Sequence, residues 1–126
     1  SALHISPQES HTERTVPLNK AAKQSIDRYL GIRSKSDNKT LFVTKTGRPL
    51  LIRNIRTAID RFFKAAGIDS AKVNDLRHTF IAHHLASGTP LTTISKLVGH
   101  KRLSTTEKYL EFIKNRSEEN VKLEEL

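Results

Sequence analysis

Residues 74–113 read NDLRHTFIAHHLASGTPLTTISKLVGHKRLSTTEKYLEFI, and this run decides the fold. Asn74 is a natural N-cap, and Leu76, Phe80, Ile81, His84 and Leu85 follow at helical spacing up to Gly88. Pro90 sits near the start of a short helix carrying Leu91, Ile94, Leu97 and Val98, which Gly99 stops. Thr105–Arg116 gives another helix, with Tyr109, Phe112 and Ile113 on one stripe. Working outward, an Asn19 cap opens a first helix with Ala22, Ile26 and Leu30 on one face and Gly31 as its stop. Gly31–Thr40 is a polar loop, and Leu41–Val43 is a candidate strand closed by the turn Lys45-Thr-Gly-Arg-Pro49. A second helix runs from Ile52 to Ala66, with Ile55, Ile59, Phe62 and Phe63 as its stripe and Gly67 as its end. At the N-terminus, Leu3–Ser6 and Arg14–Pro17 alternate around polar Pro7–Glu13, so residues 1–18 read as a β-hairpin. The expectation is a mainly α domain of about five helices with one small hairpin near its start.

Length and charge narrow the class. The 126 residues fit one domain, and 36% apolar residues with seven aromatics can build one core. No cysteine means no disulfide framework, no thiol nucleophile and no thiolate zinc site. The longest apolar runs are a few residues, too short for a membrane span, and no secretory signal heads the chain, so a cytoplasmic location is expected. Lys and Arg number 22 against 13 Asp and Glu, a net charge of +9 that points to a polyanion partner. The last ten residues, SEENVKLEEL, carry −3, so residues 1–116 carry +12. Such a tail is expected either to fray or to pack on protein rather than on the polyanion.

Three residues stand out for chemistry. Arg77 lies in the first turn of its helix, where a guanidinium fork and free N–H groups converge on an anion. His100 follows Gly99 at a helix end, and Tyr109 offers a phenol that is a weak nucleophile until its proton is drawn off. Periodicity alone also accommodates a surface arginine, a loop histidine and a core tyrosine. His78, His83 and His84 lie close in sequence but make a poor zinc site.

Taken together, Asn74-Asp-Leu-Arg77-His-Thr-Phe, Ala86-Ser-Gly-Thr-Pro-Leu and Leu97-Val-Gly-His100-Lys-Arg-Leu-Ser-Thr-Thr-Glu-Lys-Tyr109 resemble the tyrosine recombinase family of phage integrases and Xer-type recombinases. The likeness covers residues 14–113, with Arg77, His100 and Tyr109 at the family's spacing. It implies that residues 1–126 form a single, partial catalytic domain, the C-terminal part of a larger one. It also implies site-specific DNA recombination through a 3′-phosphotyrosine on Tyr109, with Arg77 and His100 holding the phosphate and no metal or other cofactor. Asn74 stands where the family usually has histidine, and an amide cannot exchange a proton near neutral pH. The family's further arginine is expected upstream of this chain. Its hairpin lysine has no counterpart before Lys20, and Glu9 falls roughly in its place. Two readings follow: a fragment of an active integrase, or a degenerate relative that binds DNA without cutting it.

Double-stranded DNA is the expected partner. Lys45, Arg48, Arg53, Arg56, Lys101 and Arg102 would supply a positive groove, and Ser104, Thr105 and Thr106 at a helix start would hold a phosphate. The resemblance also implies a homotetramer on DNA, with residues 115–126 packed into a neighbouring subunit.

Overall fold

A computed structural model describes residues 1–124, with side chains through Asn115. Strands β1 (Ala2–Ile5) and β2 (Arg14–Pro17) pair antiparallel, and five helices follow: α1 (Lys20–Ile32), α2 (Ile52–Ala65), α3 (Val73–Ala86), α4 (Leu91–Val98) and α5 (Leu103–Glu124). The fold is mainly α with one hairpin. Contacts group it into two compact units, Leu18–Asp75 with Ser1, and Ala2–Pro17 with Leu76–Leu126. Among the described residues no helix is long and apolar enough to cross a membrane.

In the first unit, Asn19 caps α1 by accepting the Ala22 N–H at 2.8 Å. Gly31 does not stop α1, which continues through Ile32 without a left-handed residue. The expected strand at Leu41–Val43 shrinks to one isolated bridge, Val43 to Pro49. Side chains have taken the backbone groups that a neighbouring strand would use. Arg33 Nε donates to the Leu41 carbonyl at 2.8 Å, and the Tyr29 hydroxyl accepts the Val43 N–H at 2.9 Å. Helix α2 ends one residue before the expected Ala66. Gly67 is left-handed (φ 77°), its N–H bonding Lys64 O, and the Ile68 N–H returns to Phe63 O at 2.8 Å. Helix α3 starts at Val73, so Asn74 is not its cap. The Asp75 carboxylate reaches back to the Lys72 N–H at 2.7 Å and does that work instead.

In the second unit, β1 and β2 run in register from Ala2 opposite Pro17 to Ile5 opposite Arg14, one residue earlier than expected for the first strand. Ile81 of α3 packs with Ile94 and Val98 of α4, all buried, and Leu85, Leu97 and Tyr109 border them. Leu76 and Phe80, expected on the buried face of α3, are exposed, as is Phe112 on α5. Helix α5 begins two residues before Thr105, and its backbone extends to Glu124. The subunit-exchange role expected of residues 115–126 falls almost wholly outside the described side chains.

Ile94, like Ile81, is fully buried in the core of the second unit. With 0% of its surface exposed, Ile94→Ala removes buried methyl groups and leaves a cavity, a loss of about 2–5 kcal/mol in urea unfolding. Ile32→Ala, at a position 84% exposed, is expected to change stability by less than about 0.5 kcal/mol.

Candidate active site

A helix leaves its last carbonyls without intrahelical partners, and the end of α4 resolves this in a way that builds a site. Gly99 is left-handed (φ 74°, ψ 31°), which glycine tolerates without steric cost. Its N–H bonds Lys96 O at 3.3 Å, and the His100 N–H bonds Ser95 O at 3.0 Å. Arg14 Nε of β2 donates to Leu97 O at 2.9 Å, and an Arg77 terminal nitrogen donates to Val98 O. The Gly99 carbonyl accepts the Thr12 N–H at 3.0 Å, and His11 bridges His100 through the backbone. Every carbonyl from Ser95 to Gly99 therefore has a donor, and two of the donors are guanidiniums. Cations also suit the negative end of a helix dipole.

The turn at Gly99 presents His100 to α5. Thr106, fully buried, places its hydroxyl 2.6 Å from His100 Nδ1. With Thr106 donating, Nδ1 is the acceptor and Nε2 carries the ring proton. The His100 ring lies near-parallel to that of Tyr109, centroids 6.4 Å apart. Tyr109 also meets His78 from α3, its hydroxyl 2.6 Å from His78 Nδ1. Lys101 sends its ammonium to the Glu9 carbonyl in the hairpin loop.

The charges of this cluster are one-sided. Among the described residues the ion pairs are His4–Glu13 and Lys23–Asp27, so no carboxylate neutralises Arg14 or Arg77. Burial pushes the His100 pKa below its ordinary value, and Arg77, His11 and Arg14 push the same way. His11 is lowered by burial, then by Arg77, Arg14 and Lys101. Burial raises the Tyr109 phenol, while the Arg77 charge opposes the rise. Burial and Arg14 also work against the charge of Arg77, yet a guanidinium remains a cation at any working pH. The result is a small positive cluster around a phenol, suited to an anion.

The second unit thus brings Arg77, His100 and Tyr109 together. Asn74 is exposed in the first turn of α3. Thr106, expected to hold a phosphate, is buried and occupied with His100, which corrects that expectation. Ser104 and Thr105 in the first turn of α5 are exposed, as are Lys101 and Arg102. Lys45, Arg48, Arg53 and Arg56 are exposed on the first unit. Sequence reasoning missed His11, Arg14 and His78. Arg14 opens the hairpin's second strand, and only the fold shows that its side chain reaches the end of α4. No group of metal-binding side chains occurs among the described residues, His78, His83 and His84 included.

Comparison with known proteins follows the same residues. A match to the phage integrase family spans residues 2–116. The tyrosine recombinase XerC of Corynebacterium glutamicum is 33% identical over 103 residues, covering 80% of this chain and 33% of that protein. XerC of Staphylococcus saprophyticus is 37% identical over 101 residues, covering 77% of this chain and 34% of that protein. The chain thus spans about a third of the length of the curated relatives it matches. The crystal structure of XerA recombinase aligns with a TM-score of 0.75 and 28% identity, over 86% of this chain and 41% of that one. XerH site-specific recombinase, solved bound to palindromic difH substrate, aligns over 99% of this chain and 36% of its own; the TM-score is 0.78 and the identity 23%, a likeness of fold.

Two outcomes follow from the geometry. A Cβ at residue 99 would stand 2.5 Å from an Arg14 terminal nitrogen and would face an unfavourable left-handed backbone. Gly99→Ala should therefore cost at least about 1–2 kcal/mol in urea unfolding, since the backbone strain alone is of that size. The depressed His11 and His100 pKa values set a pH dependence as well. Between the ordinary imidazole value and the lower folded one, the unfolded chain binds more protons, so stability falls as pH drops through that window. The same urea midpoints at pH 7.5 and 5.5 should differ less in His11→Gln than in the unaltered chain.

Proposed function

The chain belongs to the phage integrase family, the tyrosine recombinases, and from that membership we propose that it carries the nucleophile of an enzyme that breaks and rejoins DNA strands. The observation that carries this is the phenol of Tyr109 held beside Arg77 and His100 in a cluster with no carboxylate partner among the described residues. A phosphodiester brings the negative charge that such a cluster lacks.

In this reading Tyr109 Oη attacks the scissile phosphorus. The phosphorus–O5′ bond breaks, leaving a 3′-phosphotyrosine and a 5′-oxygen that takes up a proton. A 5′-hydroxyl from a second duplex reverses the step and joins the exchanged strand. Arg77 spends one terminal nitrogen on Val98 O and keeps other N–H groups for the non-bridging oxygens. His100, its Nδ1 tied to Thr106, offers Nε2–H to the same phosphate. Its lowered pKa does not impair this, because the neutral ring is already a donor. Asn74 supplies at most an amide hydrogen bond. Lys45, Arg48, Arg53, Arg56, Lys101 and Arg102 serve as phosphate contacts along the duplex, with Ser104 and Thr105 at the start of α5. Assembly as a tetramer through residues 115–126 belongs to the same proposal.

One observation favours a second reading, binding without cleavage. Residues 1–18 hold no lysine, so the hairpin offers no ammonium of its own to the leaving oxygen.

A nicked suicide duplex carrying the recombination site separates the two. Cleavage predicts a covalent protein–DNA band on a denaturing gel that Tyr109→Phe abolishes and Arg77→Ala lowers by about 10²–10³-fold, the usual cost of a preorganised charge donor. DNA binding without any such band would support the binding-only reading.

A further inference from the structure

The nucleophile proposed above needs somewhere to send its proton. Tyr109 Oη lies 2.6 Å from His78 Nδ1, within hydrogen-bond reach, and the two ring centroids are 5.7 Å apart. We propose that His78 is the general base for Tyr109, accepting the phenol proton on Nδ1 as Oη forms its bond to phosphorus. This assignment rests on the reading of Tyr109 as nucleophile.

Three features argue for it. First, among the described residues the Tyr109 hydroxyl has His78 Nδ1 as its hydrogen-bond partner. Arg77 carries donors only, and His100 Nδ1 is already occupied by the Thr106 hydroxyl. Arg14 donates to Leu97 O, His11 bridges His100 through the backbone, and no carboxylate pairs with the cluster among the described residues. Second, burial raises the phenol pKa, so a phenolate does not form unaided near neutral pH and a base acting during attack is needed. Third, His78 is exposed, so a proton received on Nδ1 can leave from Nε2 to water. Arg77 and His78 are consecutive on α3, and helical geometry directs them apart, one to the end of α4 and one to α5. The helix that binds the phosphate thereby also fixes the base.

The test needs no knowledge of a DNA site. A fluorophosphonate phosphorylates an activated phenol: Oη bonds to phosphorus, the P–F bond breaks, fluoride departs and the proton passes to His78. Labelling of Tyr109 is read by mass spectrometry, with Tyr29, the chain's other tyrosine, as internal reference. The unaltered chain should label Tyr109 at a rate that rises with pH to a plateau. His78→Asn keeps an acceptor near the Nδ1 position but cannot take a proton. It should slow labelling by about 10²-fold and make it climb with hydroxide instead. His78→Ala should regain part of the rate with added imidazole. An unchanged rate in His78→Asn overturns the proposal, and so does a slower rate with the original pH profile, which would reduce His78 to positioning. If labelling behaves as expected while the nicked duplex gives no covalent band, the DNA-cleaving reading fails and the base assignment for Tyr109 stands.

Discussion

The C-terminal end of α4 organises the second unit. An eight-residue helix cannot satisfy its last carbonyls internally, and here they go to the His100 backbone, Arg14, Arg77 and Thr12. Those donors come from β2, α3, the hairpin loop and the residue after Gly99. Satisfying one helix end therefore draws distant pieces of chain to a single point. Ile81, Ile94 and Val98 supply the apolar contact that lets α3 and α4 meet there.

The choice of acceptor has an electrostatic consequence. An arginine paired with a carboxylate is locally neutral and has little left for an incoming anion. Arg14 and Arg77 are fixed by neutral carbonyls, so their charges persist and add to the burial that lowers the His11 and His100 pKa values. Holding like charges together costs stability in the free protein. A bound phosphate would relieve that cost, so binding energy and folding energy are coupled through the same residues.

Much of this was legible in the sequence, for stated reasons. Helical periodicity and the glycines at 67, 88 and 99 marked α2 to α4 closely, because helix ends are local chemistry. The resemblance supplied Arg77, His100 and Tyr109 in order, and the fold brings them together. What escaped depended on tertiary contact. Leu41–Val43 lost its strand partner to the Tyr29 and Arg33 side chains, a competition that no alternating pattern reveals. Gly31 passed for a stop because glycine is common after helices, although nothing forced a left-handed residue there. Thr106 looked like a phosphate ligand at a helix start, and only packing shows its hydroxyl turned inward to His100. Arg14 and His78 gave no local sign at all. One acts 83 residues away and the other 31.

The two histidines beside Tyr109 show how partners divide labour between identical side chains. With the buried Thr106 hydroxyl donating to Nδ1, the free nitrogen of His100 carries the proton and donates. His78 Nδ1 lies 2.6 Å from the Tyr109 hydroxyl, and as the base proposed for that phenol it accepts through the same atom. A phosphate at the site would need a donor for its oxygens and an acceptor for the attacking hydroxyl, and two rings of one tautomer supply both by offering different nitrogens, Nε2 of His100 and Nδ1 of His78. A hydroxyl donated to Nδ1, from Thr106 in one ring and Tyr109 in the other, favours that tautomer in both. A buried Thr106 hydroxyl donated to Nδ1 is what leaves Nε2 as the nitrogen of His100 free to donate.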